Sequence, residues 1–253
     1  MGIITWNGIA SNTLGIIVEK YPSYNGTARR YETVVVPGRN GSLLFDLGGY
    51  ENVVQQYEIA KIGTGPAVAR KIREWLLGVV GYATLSDSYE SGYFRNAYYD
   101  GPTDIENVLN QAGRATIRFV CGPEHYLTTG DAYTTVDKAP NDTDFVNNYS
   151  GIALPLIECR NTSGTSVSGT ITIFDDYGLG SSYTITVSNW SAGQWLRIDS
   201  LLRDCYNSAG PVNNIVTFSS GATFPMIRPG ATLTVSYTGG FTSVVMKPRW
   251  WTL

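Results

Sequence analysis

Residues that could perform catalysis are few and scattered along this chain. The sequence contains one histidine, His125, so a Ser-His-Asp triad would have to use it. No Gly-x-Ser-x-Gly turn for a nucleophilic serine is present. Zinc takes three or four protein ligands, and His125 has no companion ligands at a metal-binding spacing. We therefore interpret His125 as a structural residue at the end of a strand.

The carboxylates give no stronger indication of chemistry. Asp175 and Asp176 precede a Tyr-Gly-Leu-Gly segment, which lacks the carboxylate ladder and terminal glutamate of a calcium loop and indicates a hairpin turn. Pairs for glycoside hydrolysis could be drawn from five acidic residues, namely Asp87, Glu90, Asp100, Asp104 and Glu106. The sequence places no two of them at a catalytic separation. We expect no enzymatic activity, no metal site and no cofactor.

Two further motifs were weighed as binding sites. Residues 38–41, Gly-Arg-Asn-Gly, are not followed by the Lys-Ser/Thr of a phosphate-binding loop. Trp190 and Trp195 flank a polar turn and could stack on sugar rings. Alternatively, one of these tryptophans lies in the core and the other at its edge, which is the interpretation that we favour.

Composition limits the classes of partner. Charged residues make up 15% of the chain and hydrophobic residues 43%, with a net charge of -3. Nucleic acid is not expected as a partner, because phosphate neutralisation requires a basic face. No stretch approaches the roughly 20 apolar residues of a membrane span, and no signal peptide is predicted. The tyrosine-rich, weakly charged sequence suits either permanent protein interfaces or an ordinary β-rich core.

The three cysteines, Cys121, Cys159 and Cys205, are widely spaced and form no Cys-x-x-Cys pair. This pattern indicates buried free thiols in a protein made in a reducing cytoplasm. A disulfide bond between Cys159 and Cys205 is the alternative.

One amphipathic helix is predicted in an otherwise β-rich chain. Val68, Ile72, Trp75, Leu76 and Val79 share one helical face, which predicts a helix over residues 66–78. A cap at Thr64 is expected to begin it, and a glycine to end it. Asn-Gly pairs at 7–8 and 40–41, flanked by apolar residues, predict hairpin turns.

The composition and pattern of the sequence change after residue 128. Residues 129–150 are rich in Thr, Asp and Asn and indicate an exposed connection, while the chain from Ile152 onward alternates between strands and turns. We predict a first domain over residues 1–128 and a β-sandwich over residues 129–253. Trp250 and Trp251, near the end, are expected to pack on a domain surface, for which the first domain is the candidate.

The order of these features resembles a known family. In the first half, the shared features are Trp6-Asn7-Gly8, the hairpin at 38–41 with Asp46 and Tyr50, the helix segment 72–76, Leu85 with Asp87 and Tyr93, and Phe119 with Cys121 and Pro123. In the second half, they are residues 148–151, Leu154-Pro155, Ile198-Asp199, residues 224–230 and residues 247–250. In order and spacing, these features are similar to those of distal tail (Dit) proteins of siphophages.

That resemblance implies a fold and a role. The fold would be mainly β: an N-terminal β-sandwich-like domain with one α-helix and a projecting hairpin, and a C-terminal galectin-like β-sandwich. The role would be that of a hub in the virion: a hexameric ring that joins the tail tube protein to tail-tip (tail-associated) and receptor-binding proteins, with no nucleic acid or membrane as partner.

Ring contacts are expected in two segments, the turn at 38–44 and a hairpin at 94–99. The residues expected at the contacts are Gly38, Arg39, Asn40, Leu43, Phe94, Tyr98 and Tyr99. A carbohydrate-binding sandwich with Trp190 and Trp195 as its platform is the alternative function.

Overall fold

The structure is a computed structural model that describes residues 2–62, 66–191, 193–219 and 221–253. The chain divides into two compact units, residues 1–125 together with Leu253, and residues 126–252. The functional division predicted at residue 128, between a ring-forming and an outward-facing domain, remains a prediction. Mainly β architecture is confirmed, since strands dominate both units.

Nine strands are described before the unit boundary. They are β1 (Ile4–Trp6), β2 (Ile9–Ala10), β3 (Ile16–Val18), β4 (Arg29–Val35), β5 (Ser42–Tyr50), β6 (Val53–Lys61), β7 (Ala83–Asp87), β8 (Tyr93–Tyr99) and β9 (Arg114–Cys121). Seven of them form one antiparallel sheet in the order β2-β1-β7-β8-β9-β6-β3, while β4 and β5 pair only with each other. The first unit is therefore a main sheet plus a separate two-stranded ribbon.

Local sequence explains the main sheet. In β6, Val53, Gln55, Tyr57 and Ile59 are buried, and the residues between them are more exposed. This period of two places one face of the strand on the core. Asn7 and Gly8 both have positive φ, 49° and 77°, as a two-residue hairpin turn requires, and they connect β1 with β2.

Two α-helices cover this sheet, where the sequence predicted one. Helix α1 (Pro66–Leu77) buries Ala69, Ile72, Trp75 and Leu76 through its apolar stripe. Thr64, its predicted cap, lies outside the described residues. Helix α2 (Ile105–Ala112) was missed, although Gly113 follows it with φ 70° and donates its N–H to Leu109 O. Arg73 of α1 joins Glu106 of α2 at 2.8 Å.

The second unit is a sandwich of two antiparallel sheets. Thirteen strands are described from the boundary onward: β10 (His125–Leu127), β11 (Thr134–Val136), β12 (Thr143–Val146), β13 (Leu156–Asn161), β14 (Val167–Asp175), β15 (Ser181–Trp190), β16 (Gln194–Asp199), β17 (Asp204–Asn207), β18 (Gly210–Pro211), β19 (Val216–Phe218), β20 (Thr232–Gly239), β21 (Ser243–Lys247) and β22 (Trp251–Thr252). Eleven of them form the sandwich, one sheet in the order β11-β21-β13-β16-β17-β18 and the other in the order β12-β20-β14-β15-β19, while β10 and β22 pair with each other.

The sandwich core lies between these two sheets. Ile157, Cys159, Leu196 and Ile198 come from the six-stranded sheet, and Ile171 from the five-stranded one; all five are fully buried. Because alternate residues point to opposite faces, the residues between them in β13 and β16 are directed to the outer face of the sandwich.

The last residues of the chain lie on the second unit. Trp250 packs at the edge of the sandwich core, with its ring 6.1 Å from that of Tyr149. The Trp251 indole N–H donates to Ile152 O at 2.9 Å. Both tryptophans thus contact residues of their own unit.

Candidate assembly surface

The ribbon of β4 and β5, called the arm below, exposes apolar side chains on both of its faces. Leu44 and Phe45 are consecutive residues of β5, so they point to opposite faces, yet they are 61% and 52% exposed. Val35 on the partner strand is 80% exposed. An isolated two-stranded ribbon is at best marginally stable in water. Apolar exposure on both faces is typical of surfaces that contact another protein.

Polar contacts fix the base of the arm. The backbone N–H of Glu51 donates to Ala28 O at 2.8 Å, and the Thr27 hydroxyl donates to Glu51 O at the same distance. Arg30 pairs with Glu51 at 3.0 Å. These contacts hold the two ends of the arm together, while most residues along its length are exposed.

The tip of the arm carries four of the residues predicted as ring contacts. Gly38, Arg39 and Asn40 are exposed in the loop between β4 and β5, and Leu43 is partly buried just after it. Gly38 has a φ of 80° and Gly41 one of 75°, conformations that favour glycine. The two glycines of the Gly-Arg-Asn-Gly motif therefore allow the chain to turn tightly between β4 and β5.

The other three predicted contacts lie in a strand and not in a projecting hairpin. Phe94, Tyr98 and Tyr99 belong to β8, which pairs with β7 on one side and β9 on the other. The segment 94–99 is thus one strand of the β7–β8 hairpin within the main sheet, and its part in ring contacts remains a prediction; the ribbon that stands apart is the arm. Tyr98 is 36% exposed beside Tyr82, whereas Tyr99 packs its ring 5.7 Å from that of Phe119.

Asp87, part of the Leu-x-Asp motif, serves as a structural acceptor. Its carboxylate accepts the hydroxyls of Tyr24 and Tyr57 at 2.8 Å and the backbone N–H groups of Tyr89 and Glu90 at 2.9 and 3.0 Å. Burial and the neighbouring Asp87 raise the pKa of both tyrosines, so they stay protonated donors. With four donors, the Asp87 carboxylate has a structural role: it stabilises the turn after β7.

His125 lies in a half-buried setting that keeps it neutral. Its Nε2 is 3.3 Å from Glu90 Oε2, and its ring is 5.5 Å from that of Tyr93. Burial, and then the nearby Arg95 cation, lower its pKa to about 4. With Gln55, these residues line a cavity of about 20 Å³, room for about one water molecule.

Trp190 and Trp195 do not together form the predicted sugar-binding platform. Trp190 is 1% exposed and belongs to the sandwich core, so it cannot present a ring face to a ligand. Trp195 is partly exposed on the outer face of the six-stranded sheet. One tryptophan is internal and the other is at the surface, which is the arrangement favoured from sequence.

The described residues offer neither a metal cluster nor a membrane-spanning helix. Within the described residues, no group of three or more His, Cys, Asp or Glu side chains is arranged to hold a metal ion. None of the described helices is both long and apolar enough to cross a bilayer.

The sequence contains one pattern that distinguishes the arm from a strand with one buried face. The apolar residues of β4 and β5 occur consecutively, at positions 34–35 and 43–45, and not at every second position. A strand with one face buried shows alternation, so consecutive apolar residues in a ribbon predict exposure on both faces or burial by a partner.

The fold as a whole is that of phage baseplate proteins. The chain superimposes on the Dit protein of phage SPP1 with a TM-score of 0.64 and 13% sequence identity, and the match covers 97% of each chain. That protein is described as a paradigm of the hub adsorption apparatus in phages that infect Gram-positive bacteria. A chain of the phage p2 baseplate in its activated conformation with Ca gives a TM-score of 0.55 at 9% identity, covering 99% and 98% of the two chains. The strontium form of that baseplate gives 0.53 at 10% identity, over 97% and 96%. No protein-family model and no curated protein matches the sequence.

Proposed function

We propose that this chain is a structural, non-enzymatic subunit of a phage tail tip, in which copies assemble into a closed hexameric ring. The observation that carries the proposal is the fold shared with the SPP1 Dit protein over 97% of each chain. Fold alone does not establish function. Support must therefore come from a surface on this chain that fits the role.

The arm is that surface. Each copy would lay its arm on a different patch of its neighbour, and such a heterologous contact closes into a ring when the rotation between copies divides a full turn. The side chains of Leu44 and Phe45 would then leave water on both faces of the ribbon. Burial of apolar area at about 25 cal/mol per Å² would drive that association.

The same proposal assigns partners and location. The ring would continue the tail tube and carry tail-tip and receptor-binding proteins, as a component of the virion assembled in the host cytoplasm. The second unit, a sandwich for which we propose a galectin-like topology, would face outward from the ring. Neither a cofactor nor nucleic acid nor a membrane has a part in this role.

The mass of the purified protein in solution tests the proposal most directly. Light scattering or native mass spectrometry should give about six times the 27.6 kDa of one chain. A protein that remains a single chain at high concentration, alone and with its tail partners, would overturn it.

The alternative function, a carbohydrate-binding module, loses the platform on which it was first based, because Trp190 is internal. The ring subunit is therefore the function that the fold and the arm support best.

A further inference from the structure

The outer face of the six-stranded sheet carries a cluster that ring assembly does not explain. We call it the Glu158 face; it consists of Tyr133, Glu158, Arg160, Trp195 and Arg197. Strands β13 and β16 are neighbours, with Glu158 opposite Arg197 and Arg160 opposite Trp195. The residues between these, Cys159 and Leu196, point into the core. All four strand residues of the cluster therefore share the outer face.

Glu158 is an unusual residue for that position. Its side chain is only 5% exposed although it lies on an outer sheet face. Its carboxylate accepts Nε of Arg160 and Nε of Arg197, both at 2.9 Å, and the Tyr133 hydroxyl at 3.0 Å. Burial alone would raise the pKa of Glu158, but the two arginines outweigh burial and lower it.

A buried ion pair is poor evidence for added stability, because desolvation of the charges offsets their attraction. A solvated polar residue would serve the outer face of a sheet without that cost. The buried Glu158 carboxylate instead fixes the guanidinium groups of two arginines side by side. Glu158 is thus a positioning residue for Arg160 and Arg197.

The hydrogen bonds to Glu158 leave the Nη groups of both arginines unused. Each arginine donates Nε to Glu158, and the paired Nη groups are those with which arginine holds a carboxylate or phosphate in two-point contact; Arg197 also interacts with the Tyr133 hydroxyl. The side chains of Arg160 and Arg197 are 46% and 32% exposed. The geometry presents two prepositioned donors to solvent.

The charge of the face also favours an anion. Two guanidinium groups share one carboxylate, which leaves a surplus positive charge in a chain of net charge -3. The neighbouring cations are neutralised separately, because Lys247 pairs with Asp131 at 3.0 Å and Arg249 pairs with Asp199 at 2.7 Å. The surplus is therefore localised at the Glu158 face.

Trp195 adds an apolar wall to this anion site. The Arg197 guanidinium lies 4.0 Å from the centre of the indole ring, and the ring of Tyr206 meets it edge-on at 6.2 Å. Both contacts fix the indole beside the two arginines. A partly exposed aromatic ring next to an oxyanion site suits a ligand with an apolar C–H face and a charged group.

We propose that the Glu158 face binds a saccharide that carries an oxyanion, a carboxylate or a phosphate group. Arg160 and Arg197 hold the oxyanion, Trp195 contacts the sugar ring, and Glu158 with Tyr133 keeps the arginines in place. This inference concerns the second unit and does not depend on ring formation.

Calorimetric or NMR titration of the full chain tests the proposal with four probes: glucuronic acid, glucose 6-phosphate, glucose and inorganic phosphate. One or both anionic sugars should bind about tenfold more tightly than glucose, because only they offer the arginines a charged acceptor. The preference between the two shows whether the natural ligand is a uronate or a sugar phosphate. The Trp195 indole N–H signal, assigned with Trp195→Phe, should shift on binding.

Three variants assign the roles. Arg160→Met with Arg197→Met should weaken the anionic sugar about tenfold. Trp195→Ala should weaken the anionic sugars but not inorganic phosphate, and Glu158→Gln should weaken both sugars and phosphate. Arg228→Met is the matched control, because Arg228 also pairs with a carboxylate, Asp175, and lies 4.6 Å from the centre of an aromatic ring, Tyr177.

Several outcomes would overturn the proposal. These are the absence of binding by either anionic sugar, equal binding of inorganic phosphate and the sugars, or an equal loss in Arg228→Met. A fourth is a change of oligomeric mass in the arginine variant without any sugar binding, which would make the face a protein interface. Should the arginine variant fail to fold, the indole shift in the unmodified protein still decides the question.

Discussion

Arg249 and Asp199 form a two-point ion pair in which Nη1 lies 2.7 Å from Oδ1 and Nη2 lies 2.9 Å from Oδ2. The Asp199 side chain is 2% exposed and that of Arg249 is 19% exposed. Asp199 ends β16, while Arg249 follows β21 near the end of the chain. This ion pair thus joins two segments on which the family resemblance rests, Ile198-Asp199 and residues 247–250.

Removing one partner of this pair should destabilise the protein strongly. Arg249→Met leaves the Asp199 carboxylate buried without its cation, which costs about 3–5 kcal/mol for such pairs. Urea denaturation followed by fluorescence measures the change. Arg118→Met, at the exposed pair of Arg118 with Asp100, is the control and should cost less than about 1 kcal/mol. Equal costs for the two variants would show that the Arg249 pair has no special structural role.

The neutral state of His125 should make stability depend on pH. Its pKa is about 4 in the folded chain against 6.5 normally, so between these values the unfolded chain binds more protons. Stability is then lost as pH falls from 6.5 towards 4. Glu90 acts in the opposite direction, because burial and then Asp87 raise its pKa, and the stability that it contributes is lost as pH rises.

The test of this pH dependence compares the unmodified chain with His125→Asn at pH 7.5 and pH 4.5. The unmodified chain should lose about 2 kcal/mol more than the variant between these two conditions. Arg95 is the facing cation, so Arg95→Met should reduce the loss where the variant folds. The same loss in both chains at pH 4.5 would rule out His125 as its source.

The arm should control assembly without controlling folding. Leu44→Ser and Phe45→Ser replace side chains that are 61% and 52% exposed in the single chain, so the cost to the fold should be small. In the ring these side chains would be buried, and the oligomeric mass should fall. Leu179→Ser, at a fully exposed leucine of the second unit, should leave the mass unchanged. A ring of undiminished mass in both arm variants would exclude the arm as the contact.

Tyr98→Asp tests the second predicted contact segment. Tyr98 is partly exposed on β8 and meets Tyr82 edge-on at 5.4 Å, so an aspartate can be solvated there without disturbing the core. We expect this variant to prevent ring formation while its circular dichroism spectrum and melting curve keep their shape. If Tyr98→Asp still forms rings, β8 is not part of the interface.

The cysteines should be unreactive in the folded chain. All three are free and buried, so the Cys159–Cys205 disulfide weighed from sequence is not formed. Burial raises the pKa of Cys121 to about 11 and of Cys205 to about 12, and that of Cys159 also rises. Iodoacetamide at pH 8 should add nothing to the native protein and three adducts after unfolding, by mass spectrometry. Rapid labelling of native protein would contradict the buried placement.

Local patterns account for most elements that the sequence predicted. The apolar stripe of Ile72, Trp75 and Leu76 recurs every three or four residues, and these side chains are buried in α1. The Asn7-Gly8 turn follows from residues that tolerate positive φ. Helix α2 carried the same kind of signal in Ile105, Leu109 and Gly113, but its eight residues are few for a periodic pattern to stand out.

The placement of functional side chains depended on contacts between distant parts of the chain. The central position of Phe94–Tyr99 in the main sheet depends on β7 and β9, which pair with its two edges. Glu158 and Arg197 meet across 39 residues, and Asp199 and Arg249 across 50. Composition showed only that these charged residues exist, and not which of them would be buried together.

The sequence by itself determined a β-rich, sparsely charged chain with one evident amphipathic helix, because such properties arise from neighbouring residues. Tertiary structure alone decided that Trp190 is internal and Trp195 at the surface, and that the arm is open on both faces. The physical reason is that burial depends on which strands become neighbours in a sheet. That choice is made by the free energy of the whole packed core and not by any local segment.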